Sequence, residues 1–295
     1  MNFPAVALLM LVNLLWSLNV VVSKIAVDDL GIPPIFYAFA RSVLVVLALL
    51  PLLRPIPRHL WRVLAVGLAI SGGSFALLYV GLRTASPATA GVVGLSGAPL
   101  GVIFAIIFLG ERVRWRRALG IALAFGGVLI AVASPDAWQA SGGVALIFGS
   151  ALVGALGTIF VKRIDLSSVR LQAWAGVASV VVLLPLTLAT ESRQIESLAA
   201  APFEAAACLL FAGLIVSVGA HSAYYWILKR HDTNQVIPLT LLSPLFTVVL
   251  GAWLTNDRVG MQLVVGGLVA LAGVTIIVLR PSTTFSKNWI VRGRL

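Results

Sequence analysis

A chain of 295 residues that is 60% hydrophobic and 11% charged is not a soluble domain, since ordinary globular chains carry about 25% charged residues. Its single cysteine, Cys208, excludes an internal disulfide and any site needing several thiolates. A formal charge of +11 could point to nucleic acid, but the basic residues fall in short turns between apolar runs, where they orient a chain in a bilayer. The expected surroundings are therefore lipid, with no nucleic acid, metal or cofactor.

A bilayer core of ~30 Å needs about 20 apolar residues as a helix. Ten segments qualify: 4–23, 35–53, 63–82, 87–109, 118–134, 143–161, 171–189, 205–228, 236–254 and 261–279. The first has no basic residue before it and no clear small-residue cleavage site, so it reads as an uncleaved helix rather than a signal peptide. With the N-terminus inside, cytoplasmic segments hold 16 of the 21 Lys and Arg, and outer segments hold Lys24, Arg83, Arg193 and Arg258. This asymmetry puts both termini in the cytoplasm, and the basic segment 281–295 reads as a disordered cytoplasmic tail.

Polar side chains in a membrane helix turn away from lipid, so a polar stripe at helical spacing marks an interior face. On the first helix Asn13, Ser17, Val20 and Lys24 form such a stripe, with Trp16, Asn19 and Ser23 beside them. Helix–helix hydrogen bonding accounts for some of these groups; the length of the stripe and its terminal charge favour a solute pathway. Arg41 lies within the second span, read either as a cation at the outer mouth or as a structural, snorkelling one. Tyr79 sits on the third helix. The fourth carries Thr89, Ser96 and Pro99 among glycines, and the ninth carries Thr240, Ser243, Pro244 and Thr247. A mid-helix proline kinks a helix, so Pro99 and Pro244 are read as paired kinks in movable elements, or as static bends. The eighth helix presents Ser217, His221 and Tyr224 on one face, with Tyr225 alongside. His221 serves either as a substrate or proton partner or as a satisfied interior group.

The chain also repeats, and repeats decide architecture. At an offset of 146, Glu111-Arg112-Val113 returns as Asp257-Arg258-Val259, Gly120 as Gly266, Gly127 as Gly273 and Tyr79 as Tyr225; Pro99 meets Pro244 at 145. Five helices per copy is an odd number, so the copies face opposite ways across the membrane, an arrangement common in secondary transporters. The fold read here is an all-α integral membrane protein of ten transmembrane helices in two inverted five-helix repeats. The first repeat occupies 1–134 and the second 143–280, joined by an outer linker at 135–142.

Two such halves, each closing on an apolar run, a proline, an acidic-Arg-Val turn and a glycine-rich helix, resemble the EamA-type drug/metabolite transporter superfamily over about residues 4–280. Leu109-Gly110-Glu111-Arg112 carries the motif, and Thr255-Asn256-Asp257-Arg258 is a degraded second copy. The resemblance implies a central cavity enclosed by helices 1–4 and 6–9, with 5 and 10 outside. It leaves the substrate open, since members carry amino acids, sugars, nucleotide derivatives or sugar phosphates.

All ten acidic residues lie in loops or at span ends, so no buried carboxylate is available to a cationic drug. Lys24 and Arg41 instead suit a carboxylate. The expected function is export of small metabolites across the inner membrane by alternating access, amino acids first and aromatic ones included, by a monomer or homodimer. The alternatives are another metabolite class, such as a sugar or nucleotide derivative, or a passive channel. An intramembrane enzyme is disfavoured, because no paired catalytic groups fall inside the spans.

Overall fold

The computed structural model describes residues 3–110, 113, 115–161, 163–231, 236 and 239–279, which are helical with no strand among them. Among the described residues, eight helices are long and apolar enough to cross a membrane: α1 (Phe3–Asp29), α3 (Leu60–Leu82), α4 (Pro87–Phe108), α5 (Trp115–Val132), α6 (Ser141–Val161), α7 (Ser168–Thr190), α8 (Pro202–Tyr224) and α10 (Met261–Leu279). The shorter apolar helices α2 (Pro34–Ala48) and α9 (Leu242–Leu254) fall where the second and ninth spans are expected.

Local chemistry sets many of the helix ends. Ser86 precedes Pro87 and caps α4 by accepting from Thr89 N–H, and Ser167 does the same for Arg170 at the start of α7, as a serine N-cap should. At the other end of α4 the chain turns at Gly110, whose φ of 67° is the left-handed conformation that glycine adopts without strain.

Both mid-span prolines stand just after an interruption in their helices. In α4 the stretches Pro87–Gly94 and Gly97–Leu109 are separated at Leu95 and Ser96, which bond back three residues to Val92 and Val93, and Pro99 stands third in the later stretch. Residues 236, 239 and 240 are helical where the ninth span is expected to begin, a turn falls at 241, and α9 follows from Leu242 with Pro244 third in it. Proline lacks an N–H, so it fits the first turn of a helix, where no intrahelical donor is needed. The expected linker 135–142 holds a helical turn, Pro135–Gln139.

The helices run between two ends of the bundle. At the end where α1 begins, Arg170 binds the carbonyls of Leu52 and Pro55, and Phe108 packs edge-on to Phe160. Exposed Trp61, Trp115 and Trp226 ring this end, each with an arginine stacked on it (Arg62, Arg116 and Arg230). At the far end, Glu191 accepts both Ile35 and Phe36 N–H groups at 2.8 Å, capping α2. Asp257 accepts Ala88 N–H at 2.8 Å, capping α4.

Helix neighbours follow a regular scheme. α1 packs on α9 as α6 packs on α4, α3 on α7 as α8 on α2, and α3 on α6 as α8 on α1; α2 with α7, α4 with α9 and α5 with α10 complete the main contacts. The tightest seam is α5 against α10, where Gly120, Ala124, Gly127 and Ala131 meet Gly266, Ala270 and Gly273. A Cβ on Gly127 would lie 2.2 Å from Ala270 N, and one on Gly273 would lie 2.3 Å from Ala124 N. Small residues at this spacing let membrane helices touch backbone to backbone, where apolar burial gives no advantage over lipid.

Candidate functional site

Polar and aromatic groups meet where α1, α2, α3 and α8 adjoin. The local cause is a run of wide π-helical turns in α8 over Phe211–Ala220, matched by another in α3 over Ala69–Gly73. Such turns put carbonyls five residues from their donors and recur at functional sites. In α8 side chains share these carbonyls: Ser217 Oγ donates to Ala212 O at 2.6 Å, and His221 Nδ1 lies 2.9 Å from Val216 O. A carbonyl only accepts, so Nδ1 carries the proton and Nε2 is the ring atom left to accept one.

Trp16 of α1 faces this turn. Its ring centroid is 5.3 Å from His221 and 5.1 Å from Tyr224, the latter edge-on, a favourable geometry for aromatic pairs. The indole Nε1 is buried with no hydrogen-bond partner among the described residues. Asn13, one turn earlier and fully buried, donates to Leu9 O at 2.7 Å and leaves its Oδ1 unpartnered. Ser17 ties α1 to the start of α9, with its Oγ 2.7 Å from Ser243 O and 3.2 Å from Ser243 Oγ. The α1 stripe and the α8 set, expected from sequence as separate faces, therefore share one interior.

Towards the far end the interior is built on Arg41, which is only 3% exposed. Its Nε donates to Ser217 Oγ at 2.8 Å and its Nη1 to the Tyr79 hydroxyl. The guanidinium carbon sits 3.7 Å from the centroid of the Phe75 ring, a close cation–π contact. Tyr79 packs between Phe75 and Tyr37, and the Tyr37 hydroxyl donates to Cys208 O at 3.1 Å. Phe75 and Tyr37 were not singled out in the sequence, where an aromatic in an apolar run carries no mark of what it touches.

The remaining candidates lie apart. Lys24 pairs with Asp28 at 2.8 Å, one turn on. Ser96 is fully buried and donates to Val93 O, inside the break in α4. Arg258 lines a pocket of about 230 Å³ at the far end with Thr84, Ser86, Thr89, Ser134 and Gln262. Glu111, Arg112 and the side chain of Tyr225 lie outside the described residues.

Residues 3–133 and 141–279 both match the EamA-like transporter family. The chain belongs to that family. It is a multi-pass membrane transporter, and the family and its relatives are transporters rather than enzymes. The transporter is 29% identical over 284 residues to a probable amino-acid metabolite efflux pump of Escherichia coli K12, covering 91% of this chain and 93% of that one. It is 30% identical over 282 residues to the protein of the same description from Salmonella typhimurium, covering 91% and 93%. A probable terminal-alkyne amino-acid exporter of Streptantibioticus cattleyicolor aligns at 29% over 182 residues, 60% of this chain and 59% of that one. One solved crystal structure superposes on 94% of the chain, and on 98% of its own, with a TM-score of 0.60 at 16% identity, a likeness of fold alone.

Proposed function

We propose that the transporter exports amino acids, aromatic ones included, across the inner membrane by alternating access. The solute would pass through the interior bounded by Asn13, Trp16, Ser17, Tyr79, His221, Tyr224 and Ser243. The observation that carries this reading is the half-buried Trp16–His221–Tyr224 cluster, whose buried indole N–H has no partner among the described residues. Aromatic faces and a few polar groups accommodate varied side chains, as expected of a metabolite exporter rather than a tight binder. The names of the full-length relatives point the same way.

The architecture we infer is ten spans in two inverted five-helix repeats, at 1–134 and 143–280. Exchanging the halves (α1 for α6, α2 for α7 and so on) maps the main helix contacts onto themselves. The wide turns in α3 and α8 and the prolines Pro99 of α4 and Pro244 of α9 correspond in the same way. The arginine-stacked tryptophans at the end where α1 begins favour that end as cytoplasmic, since Lys and Arg accumulate there and Trp at the interface.

The test is counterflow in proteoliposomes. Labelled phenylalanine, leucine and threonine, a hexose and a nucleotide sugar are each offered to vesicles loaded with unlabelled solute. Saturable counterflow of an amino acid supports the reading. Counterflow of only the sugar or nucleotide sugar overturns the substrate, and flux without counterflow or saturation makes the protein a channel.

A further inference from the structure

We propose that Arg41 is the carboxylate-binding residue of this pathway, and that the transporter selects solutes by their carboxylate group; the inference rests on the amino-acid export reading above. Arginine does not lose its proton in proteins. A buried guanidinium without a counter-charge costs several kcal/mol, so a side chain only 3% exposed calls for an anion. Among the described residues, no carboxylate lies within ion-pair distance of Arg41; the ion pairs there join Lys24 to Asp28 and Arg193 to Glu196.

What surrounds Arg41 positions the cation without neutralising it. Ser217 Oγ takes Nε, the Tyr79 hydroxyl takes Nη1 and Phe75 covers one face, all three neutral. Ser217 spends its own hydrogen on Ala212 O, so its oxygen can only accept from Arg41. These contacts hold the guanidinium plane while Nη2 stays buried with no partner among the described residues. A planar fork with N–H groups left unpartnered matches a carboxylate. Ser217 and His221 are one turn apart on α8, and His221 touches Trp16, so a solute at Trp16 adjoins this cation. Lys24, the other basic residue near the pathway, already has Asp28.

The experiment measures binding and counterflow with three probes: phenylalanine, phenylalaninamide, which lacks the carboxylate, and 3-phenylpropionate, which lacks the amine. Thermal stabilisation of the parent protein is read alongside. Phenylalanine and 3-phenylpropionate are expected to bind and protect, and phenylalaninamide to bind at least tenfold more weakly. Arg41→Gln should lose that preference and Arg41→Lys retain part of it. Equal handling of phenylalanine and its amide by the parent overturns the role of Arg41 while leaving amino-acid export standing. So does an Arg41→Gln protein that still prefers the carboxylate. Counterflow of 3-phenylpropionate without any amino acid overturns the amino-acid reading but supports the site. Failure of both carboxylate probes to bind the parent overturns the site. Because the parent alone decides between carboxylate and amide, the test survives a variant that does not fold.

Discussion

The carboxylate of Asp257 accepts the backbone N–H of Ala88 at 2.8 Å, across 169 residues of chain. The residue that continues the Glu/Asp-Arg-Val repeat is thus a helix cap: it satisfies an orphan donor at the start of α4 and places a negative charge at the positive end of its dipole. Thr255 Oγ donates to its other oxygen at 2.8 Å and holds it there.

Asp257→Ala should therefore cost about 1 kcal/mol, as loss of a cap typically does. Gly251→Ala should act in the same direction, since its Cβ would fall 2.3 Å from Asp257 Oδ2 and push the carboxylate off the amide. Thermal unfolding in detergent is expected to show a lowered midpoint for both, with Asp257→Asn closer to the parent. An unchanged midpoint for Asp257→Ala would remove the capping role.

Glu191 makes the parallel contact, with both oxygens on the amides of α2 and Thr187 Oγ on Oε2 at 2.7 Å. Because α2 carries Arg41, Glu191→Gln should lower transport as well as stability. Amino-acid counterflow at matched protein levels reads this, with a drop of severalfold expected.

The α5–α10 seam yields a paired test. Gly127→Leu has no room, while a Cβ on Gly126 meets nothing within 4 Å. Overpacking a close backbone contact costs roughly 1–3 kcal/mol or more. Gly127→Leu should sharply reduce folded yield, and Gly126→Leu should express as the parent does.

His221→Ala removes one wall from the Trp16 cluster. Aromatic contacts contribute about 0.5–1.5 kcal/mol beyond area burial, so the half-saturating concentration of an aromatic amino acid should rise several- to tenfold with little change in unfolding temperature. An unaltered half-saturation would place the solute elsewhere.

Much of this was legible in the sequence because periodicity and composition report on faces. The α1 stripe of Asn13, Trp16 and Ser17 and the α8 set of His221 and Tyr224 were found that way, and the glycines at 120, 127, 266 and 273 marked the repeat through their offset, though not the α5–α10 seam that they build. What stayed hidden depends on distant pairing. Arg41 read as a cation at the outer mouth or as a structural, snorkelling one, and its place in the interior shows only through Ser217, 176 residues on. Glu191 and Asp257 looked like loop charges because the amides they cap are 155 or more residues away. The wide turns of α3 and α8 have no residue signature, and they re-aim Ser217 and His221.

The most direct test of the central claim is saturable efflux of labelled phenylalanine from proteoliposomes, parent beside Trp16→Ala, at equal unfolding temperature and with or without a pH gradient. The account predicts saturable efflux by the parent and at least a tenfold loss of transport efficiency in the variant. A parent that moves no amino acid, or a variant that moves phenylalanine as the parent does, would contradict it.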